Sequence, residues 1–117
     1  MKKGFLQKRG EYLKTYKGFS VKLPLVVVYA RPNGLDKYRF GCTAPRTVGN
    51  AVLRNRVKRW GREIYRHYDV PEGIPLDLHV FVGSKRVKYK EVKFNEFRSQ
   101  VHEGLERIFR RFSKSSR

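Results

Sequence analysis

The sequence predicts an α+β fold in which helices pack against one small sheet as a single-domain sandwich. The chain has 117 residues, of which 39% are hydrophobic, and this suits one domain with a modest core. Two long segments repeat apolar residues at spacings of three and four, and β-branched runs lie between turn signals. The expected order of elements is αβββαβα. We expect one domain over 1–117, with flexible ends at 1–7 and 113–117.

The first part of the chain predicts a short helix followed by a hairpin. Residues 8–16 can form the helix. The segment Val21–Ala30 is rich in β-branched residues, and Pro24 is expected to interrupt it or to mark the start of a strand. Residues 31–34 (Arg-Pro-Asn-Gly) form a turn, so Lys37–Thr43 is expected to be the partner strand of a hairpin.

The second part predicts a long helix, one strand and a last helix. The long helix covers about Asn50–Tyr68, and alternating apolar residues predict a strand over Leu76–Val82. The last helix is amphipathic, with apolar residues three or four positions apart. These residues are Phe94, Phe97, Val101, Leu105, Ile108 and Phe112.

The charge of the chain points to a polyanionic partner. There are 28 Lys and Arg residues against 10 Asp and Glu, which gives a formal net charge of +18. A partner with many phosphates relieves such self-repulsion, so nucleic acid is the leading candidate. A membrane is disfavoured, because the longest apolar run, Leu25–Ala30, is too short to span a bilayer. Cys42 is the one cysteine and no apolar leader segment follows Met1, so we expect a cytoplasmic protein.

Residues that could give the protein its own catalytic activity are few. His67, His79 and His102 fall on different predicted elements, and the ten acids are scattered along the chain. Neither a zinc site nor a two-metal nuclease centre is therefore expected. Cys42 lies in a predicted strand and is expected to be a buried small hydrophobe. We expect no catalytic residue, no metal site and no tightly bound cofactor in the protein itself.

The long helix has two opposed faces when its residues are placed at about 100° intervals. Its apolar face consists of Leu53, Val57, Trp60 and Ile64. Its polar face carries Arg54, Asn55, Lys58, Arg59, Arg62 and Arg66. Glu63 is the one acid among them, whereas a solvated basic face usually has acids for i,i+4 pairing. The pattern therefore favours phosphate binding, to which arginine contributes a planar fork of donors.

Two other features stay open between a structural and a functional interpretation. Tyr12, Tyr16 and Tyr29 lie on elements that could face each other. Residue pattern alone favours core or rim positions for them, and the alternative is a stacking surface for unpaired RNA bases. The loop from Lys85 to Lys93 carries five basic residues, and such a loop is as often solvated as functional.

The segment Gly49–Arg59, with the sequence Gly-Asn-Ala-Val-Leu-Arg-Asn-Arg-Val-Lys-Arg and followed by Arg62, resembles the bacterial ribonuclease P protein subunit. The Arg-Asn-Arg centre with these flanks is far more specific than a generic basic run. Further matches to the family are Tyr12, Tyr16, Gly18, Ser20, Tyr29, Arg39 and Gly41. The chain departs from the family pattern at residues 44–46, where only the basic Arg46 carries over, and at residues 5–6 (Phe-Leu).

The resemblance implies a small α+β fold with a left-handed βαβ crossover, against the usual hand of such connections. It also implies the function of an RNA-binding subunit in an endoribonuclease. There, a catalytic RNA binds precursor tRNA, removes its 5′ leader and holds the Mg²⁺ ions. The implied partners are this RNA and precursor tRNA, with no membrane. A ribosomal protein, a stand-alone nuclease and a DNA-binding module are the alternatives.

The resemblance also implies which residues form the sites. The implied RNA-binding residues are Arg46, Asn50, Arg54, Asn55, Arg56, Lys58, Arg59, Arg62 and Arg66. The implied cleft for the single-stranded leader consists of Tyr12, Tyr16 and Tyr29. No sequence pattern explains Gly61, which weakens the middle of the helix by up to ~1 kcal/mol relative to alanine.

Overall fold

Five strands form one mixed sheet, and three α-helices pack on it. The structure is a computed structural model that describes residues 2–115. The strands are β1 (Lys2–Phe5), β2 (Phe19–Lys22), β3 (Val26–Pro32), β4 (Lys37–Thr43) and β5 (Leu76–Val82). The helices are α1 (Arg9–Thr15), α2 (Ala51–Arg66) and α3 (Phe94–Ser115), with 3₁₀ turns at Arg46–Val48 and Tyr89–Glu91. The α+β class is confirmed, and the order βαβββαβα contains one strand more than predicted.

The strand β5 occupies the centre of the sheet, whose strand order is β1-β4-β5-β3-β2. β4 is parallel to β1 and β5, whereas β3 is antiparallel to β5 and β2. The predicted hairpin of β3 and β4 is therefore wrong, because β5 lies between these two strands. The physical reason is burial. Six of the seven residues of β5 are buried, and a strand that is buried on both faces belongs at the centre of a sheet.

The amino-terminal segment contains a strand and an anchoring lysine where a flexible end at 1–7 was predicted, and Met1 lies outside the described residues. β1 pairs in parallel with β4 along its whole length. The ammonium group of Lys3 donates hydrogen bonds of 2.9–3.0 Å to three carbonyls at the C-terminal end of α2. These carbonyls belong to Tyr65, Arg66 and Tyr68. A cation is favoured there, because the last carbonyls of a helix lack intrahelical partners.

The last helix, α3, is longer than expected. It continues to Ser115, so residues 113–115 are helical where a flexible end was predicted, and residues 116–117 lie outside the described part of the chain. Its predicted apolar stripe is confirmed at four positions that are fully buried. These are Phe97, Val101, Leu105 and Ile108. Within residues 2–115, no helix is both long enough and apolar enough to cross a membrane.

The packing of α2 on β4 explains Gly61. The fully buried residues of α2 are Val57, Gly61, Ile64 and Tyr65, whereas Leu53 and Trp60 of the predicted apolar face are only partly buried. A Cβ at Gly61 would lie 2.9 Å from Sγ of Cys42 and 3.1 Å from its Cβ. The helix therefore touches the strand at this glycine, and the buried stripe is centred on it.

The helices divide unequally between the two faces of the sheet. On one face, α2 stacks Tyr65 on Phe40 with 4.7 Å between ring centroids, and α3 brings Gly104 against Val28. On the other face, the one helix within residues 2–115 is the short α1, whose Tyr12 ring rests on Gly41. β4, α2 and β5 form a βαβ unit with parallel strands, and its left hand stays a prediction.

Candidate RNA-binding site

The face of the sheet beneath α1 is only partly covered, and this opens a cleft. Tyr29 of β3, His79 of β5 and Gly41 of β4 are register partners and form one row across the sheet. The helix α1 has seven residues, so it covers this row and little else. A Cβ at residue 41 would lie 2.3 Å from Cε1 of Tyr12, so glycine is needed for the ring to rest on the strand.

The three predicted tyrosines meet in this cleft. Tyr16 stands edge-on to Tyr29, with 4.8 Å between ring centroids. Tyr12 and Tyr16 lie 5.0 and 5.3 Å from the ring of His79, and Tyr29 lies 5.9 Å from it. The side chain of Tyr16 is 41% exposed, whereas Tyr12 and Tyr29 are half-buried. The cluster therefore presents aromatic surface to solvent while part of each ring is packed.

Sequence reasoning assigned no role to His79, and the structure places it at the floor of the cleft. Its Nδ1 lies 2.9 Å from Oγ1 of Thr15, and its Nε2 lies 2.8 Å from Oγ1 of Thr43. The hydroxyl of Thr15 donates to the carbonyl of Tyr12 at 2.6 Å, so it accepts from Nδ1–H of the histidine. Burial lowers the pKa of His79 to about 4, so a neutral ring ties α1 to the sheet at physiological pH.

Arg39 holds the other end of α1. Its Nη1 donates to Glu11 of α1 at 2.8 Å, and its Nε and Nη2 donate to the two carboxylate oxygens of Asp77 at 2.8 and 2.7 Å. The second oxygen of Glu11 accepts from the backbone N–H groups of Lys8 and Gln7. These backbone bonds, together with Arg39, lower the pKa of Glu11 to about 2. The helix α1, which carries Tyr12 and ends next to Tyr16, is therefore fixed in place by charge.

The cleft continues beyond the tyrosines into an open groove of about 640 Å³. Phe81, on the same face of β5 as His79, places its ring centroid 6.5 Å from that of Tyr16. Lys22 and Arg86 also line the groove. Sequence reasoning missed Phe81 and Lys22, and it left Arg86 open as part of the basic loop from Lys85 to Lys93. A signal for Phe81 was present in the sequence, because the alternation that places Leu78, Val80 and Val82 on one side of β5 leaves Phe81 on the other.

The predicted RNA-binding set lies along α2 and the segment just before it. Arg46, Asn50, Asn55, Arg59, Arg62 and Arg66 are exposed, and Arg54, Arg56 and Lys58 are half-buried. Asn50 is the N-cap, and its side-chain oxygen accepts from the N–H of Leu53 at 2.9 Å. Within residues 2–115, Arg66 is the one member of the set with an acid partner, Glu63, at 3.2 Å. The other basic side chains of the set form no salt bridge with another residue of the described range.

The basic side chains lie along two edges of α2. Arg54, Lys58 and Arg62 are four residues apart and follow one edge. Arg62 lines a small pocket of about 130 Å³ together with Tyr12, so this edge borders the aromatic cleft. Arg56 projects from the opposite side of the helix and lines a different groove. The structure therefore joins one basic edge to the tyrosines and separates the other from them.

Within residues 2–115, the one cysteine is buried and the acids form no metal-binding cluster. Cys42 is buried as predicted, and burial raises the pKa of its thiol to about 12, so it is a poor nucleophile at neutral pH. In the part of the chain that the structure describes, no group of three or more His, Cys, Asp or Glu residues could hold a metal ion.

Comparisons with known proteins agree with the resemblance. The family model described as Ribonuclease P matches residues 1–109. The ribonuclease P protein component of Thermotoga maritima is 34% identical over 108 residues, covering 88% of this chain and 90% of that protein. The corresponding component of Alkaliphilus metalliredigens is 36% identical over 97 residues, covering 82% of this chain and 85% of that protein.

Solved structures extend the likeness to the fold. The ribonuclease P protein of Staphylococcus aureus superposes with a TM-score of 0.76 at 25% identity, covering 92% of this chain and 95% of that one. The Thermotoga maritima protein gives a TM-score of 0.73 at 32% identity, covering 85% of this chain and 92% of that one. By family model, sequence and structure alike, the chain belongs to the ribonuclease P protein family.

Proposed function

We propose that the chain binds precursor tRNA through its aromatic cleft and docks on the catalytic RNA through the basic side chains of α2. As a member of its family, the chain is a protein component of ribonuclease P, the endoribonuclease that cleaves tRNA precursors, and it associates with the ribonuclease P RNA. The observation that carries the proposal is the contact between the two surfaces. Arg62 and Tyr12 line one pocket, so the basic edge and the cleft are continuous.

The cleft has the properties that a single-stranded leader requires. Unpaired bases stack on aromatic rings without regard to sequence, and each stacked base contributes ~1–3 kcal/mol. Tyr16, with its ring exposed at the mouth of the cleft, is suited to this contact. Lys22 and Arg86 line the continuing groove and would hold the phosphates between the stacked bases.

The basic edge of α2 would contribute charge screening. Two RNA molecules that approach each other repel through their phosphates, and arginines without acid partners relieve that repulsion. In this proposal the nine RNA-binding residues that the resemblance implies, the first of which is Arg46 and the last Arg66, contact the catalytic RNA. Mg²⁺ is held by that RNA, and no protein residue takes a direct part in the chemical step. We place the reaction in the cytoplasm, where precursor tRNA is made in bacteria.

One experiment tests the leader site. We expect Tyr16→Ala to weaken binding of precursor tRNA to the reconstituted holoenzyme by about 5- to 150-fold, the range for one stacked base. Binding of mature tRNA, which lacks the leader, should stay unchanged. Tyr16→Phe keeps the ring and serves as the matched control. Equal losses for precursor and mature tRNA would show that Tyr16 has only a structural role.

A second experiment tests the docking edge. Arg62→Ala should slow precursor cleavage at low magnesium, where other cations screen phosphates least, and raised magnesium should restore the rate. The control is Arg110→Ala, which removes an exposed arginine from α3 and should have little effect. Cleavage that is unchanged in Arg62→Ala at low magnesium would contradict the proposed role.

A further inference from the structure

A second basic groove lies on the side of α2 that faces away from the tyrosines. It has a volume of about 520 Å³ and lies between the first turns of α2 and the segment 87–90. Three cations line it, Arg56 from the helix and Lys88 and Lys90 from the segment. None of the residues that line the groove is acidic. Within residues 2–115, none of the three cations forms a salt bridge with an acid elsewhere.

Part of the lining of this groove is apolar. Val52, Leu53 and Val87 all line it. Val52 is 70% exposed, the highest value among the large hydrophobic side chains that the structure leaves open to solvent. Basic groups beside apolar side chains suit a nucleic-acid strand, because the phosphates contact the cations while a sugar or base lies on the hydrophobic surface.

The loop side of the groove is rigid. Tyr89, at the start of the 3₁₀ turn, is 1% exposed. Its hydroxyl donates to the carbonyl of Leu25 at 2.8 Å and accepts from the N–H of Ser84 at 2.9 Å. Lys88 and Lys90 flank this anchor in the sequence, so their backbone positions are set before any ligand arrives. A preformed site avoids part of the entropy cost of ordering a loop on binding.

The same loop also borders the aromatic cleft. Arg86 lines the cleft groove, Lys88 and Lys90 line the second groove, and Val87 lines both. The loop is therefore a ridge between two surfaces. Arg86 lies on the side of the groove with exposed aromatic rings. Lys88 and Lys90 lie on the side of the groove beside the helix that carries the Arg-Asn-Arg sequence.

We propose that the groove formed by Arg56, Lys88 and Lys90 binds a backbone segment of the catalytic RNA, whereas Arg86, on the opposite side of the loop, contacts the leader. This inference rests on the proposed function and adds a second contact surface for the catalytic RNA. It assigns the basic loop to RNA binding, which the sequence alone leaves open, and it divides the loop between two RNAs. The lining of this groove includes no exposed aromatic ring, so stacked leader bases are better served by the cleft.

The test is a double charge reversal, Lys88→Glu with Lys90→Glu. We expect affinity for the ribonuclease P RNA alone to fall by at least about tenfold near 0.1 M salt, because each lost phosphate contact removes close to one unit of salt slope. The plot of log affinity against log salt should become flatter by about two units. The preference for precursor over mature tRNA, measured in holoenzyme assembled at saturating protein, should stay unchanged.

The matched control is Lys85→Glu with Lys93→Glu, which makes the same charge change in the same loop at two residues that line neither groove. This control should keep the wild-type salt slope. Arg86→Glu should give the reverse result, with reduced leader preference and nearly normal affinity for the RNA. Thermal unfolding of each variant verifies that the fold is retained.

Two results would overturn the inference. One is an unchanged affinity and salt slope in the Lys88/Lys90 variant, and the other is a loss of leader preference in that variant instead. Both readouts are separate from the Tyr16 experiment. If the cleft does not bind the leader, the affinity for the catalytic RNA still tests this inference independently.

Discussion

The two faces of the sheet differ in how completely helices cover them, and the difference separates stability from binding. α2 and α3 cover one face with apolar side chains, and the contact is so close that residue 61 has no room for a side chain. The other face has only α1, held by a buried histidine and an arginine-carboxylate cluster. Aromatic surface stays exposed where coverage stops. A cleft forms here because a helix is short, and polar bonds replace the apolar packing that a longer helix would supply.

The largest expected effect comes from removing the charge that fixes α1. Arg39→Met would leave the buried carboxylate of Asp77 without its bidentate partner, and such a change costs ~3–5 kcal/mol. The free energy of unfolding from urea titration measures it. The double variant with Asp77→Asn removes the uncompensated charge and should recover part of the loss. If the double variant is no more stable than Arg39→Met, the cost does not come from the buried charge.

Acid should loosen the same face, and the sign follows from the pKa shift. The pKa of His79 is lowered from 6.5 to about 4 in the folded state, so the unfolded state binds the extra proton in this range. Stability should therefore fall between pH 6.5 and pH 4, by roughly 3 kcal/mol in all. Glu11, with a pKa lowered from 4.5 to about 2, adds a further loss below pH 4.5.

Urea titrations at a series of pH values measure this loss. The control is His79→Gln, which has no titrating ring and should show a flatter dependence between pH 6.5 and pH 4. The same pH dependence in the variant and the wild type would mean that other groups cause the acid effect.

Paired glycine substitutions compare the two faces directly. Gly61→Ala adds a methyl group 2.9 Å from a buried sulfur, and overpacking of this kind costs ~1–3 kcal/mol. Gly10→Ala adds the same group in α1, where nothing lies within 4 Å, and the gain in helix propensity should stabilise the protein by up to ~1 kcal/mol. Thermal unfolding measures both changes. If both variants are stabilised, α2 and β4 can move apart without cost; if both are destabilised, the expected gain in helix propensity at Gly10 is wrong.

The smallest effect is expected at Arg66. Its pair with Glu63 is exposed, so Arg66→Ala should change the free energy of unfolding by no more than ~0.5 kcal/mol. Glu63 already neutralises part of the charge of Arg66, so Arg66 should also contribute less to RNA affinity than Arg62. Filter binding to the catalytic RNA compares the two alanine variants, and an equal or larger loss for Arg66→Ala would contradict the ranking.

Local pattern predicted the elements better than their arrangement. The bounds of Lys37–Thr43 and Leu76–Val82 agree with the structure, and the long helix differs by one residue at its start and two at its end. The position of β5 between β3 and β4 was missed, since adjacency in sequence favours a hairpin and only burial on both faces argues for a central strand. β1 was missed because four residues that include two lysines show no apolar alternation.

The same limit applies to the candidate site. The resemblance brought Tyr12, Tyr16 and Tyr29 together, and the structure places their rings in one cluster. The roles of His79 and Arg39 could not be assigned from sequence, because they depend on which strands become neighbours, whereas the side of β5 that Phe81 occupies follows from alternation alone. The division of the basic loop between two grooves also depends on contacts between residues that are distant in sequence.

The central position of β5 has a consequence for synthesis of the chain. The pairs β1–β4 and β2–β3 involve only residues up to Thr43, so each can form before β5 leaves the ribosome. Until Val82 emerges, these two half-sheets have open apolar edges and cannot join. The floor residue His79 arrives with this late strand, whereas the Arg-Asn-Arg helix precedes it. The nascent chain therefore presents its basic helix to RNA before the substrate cleft has formed.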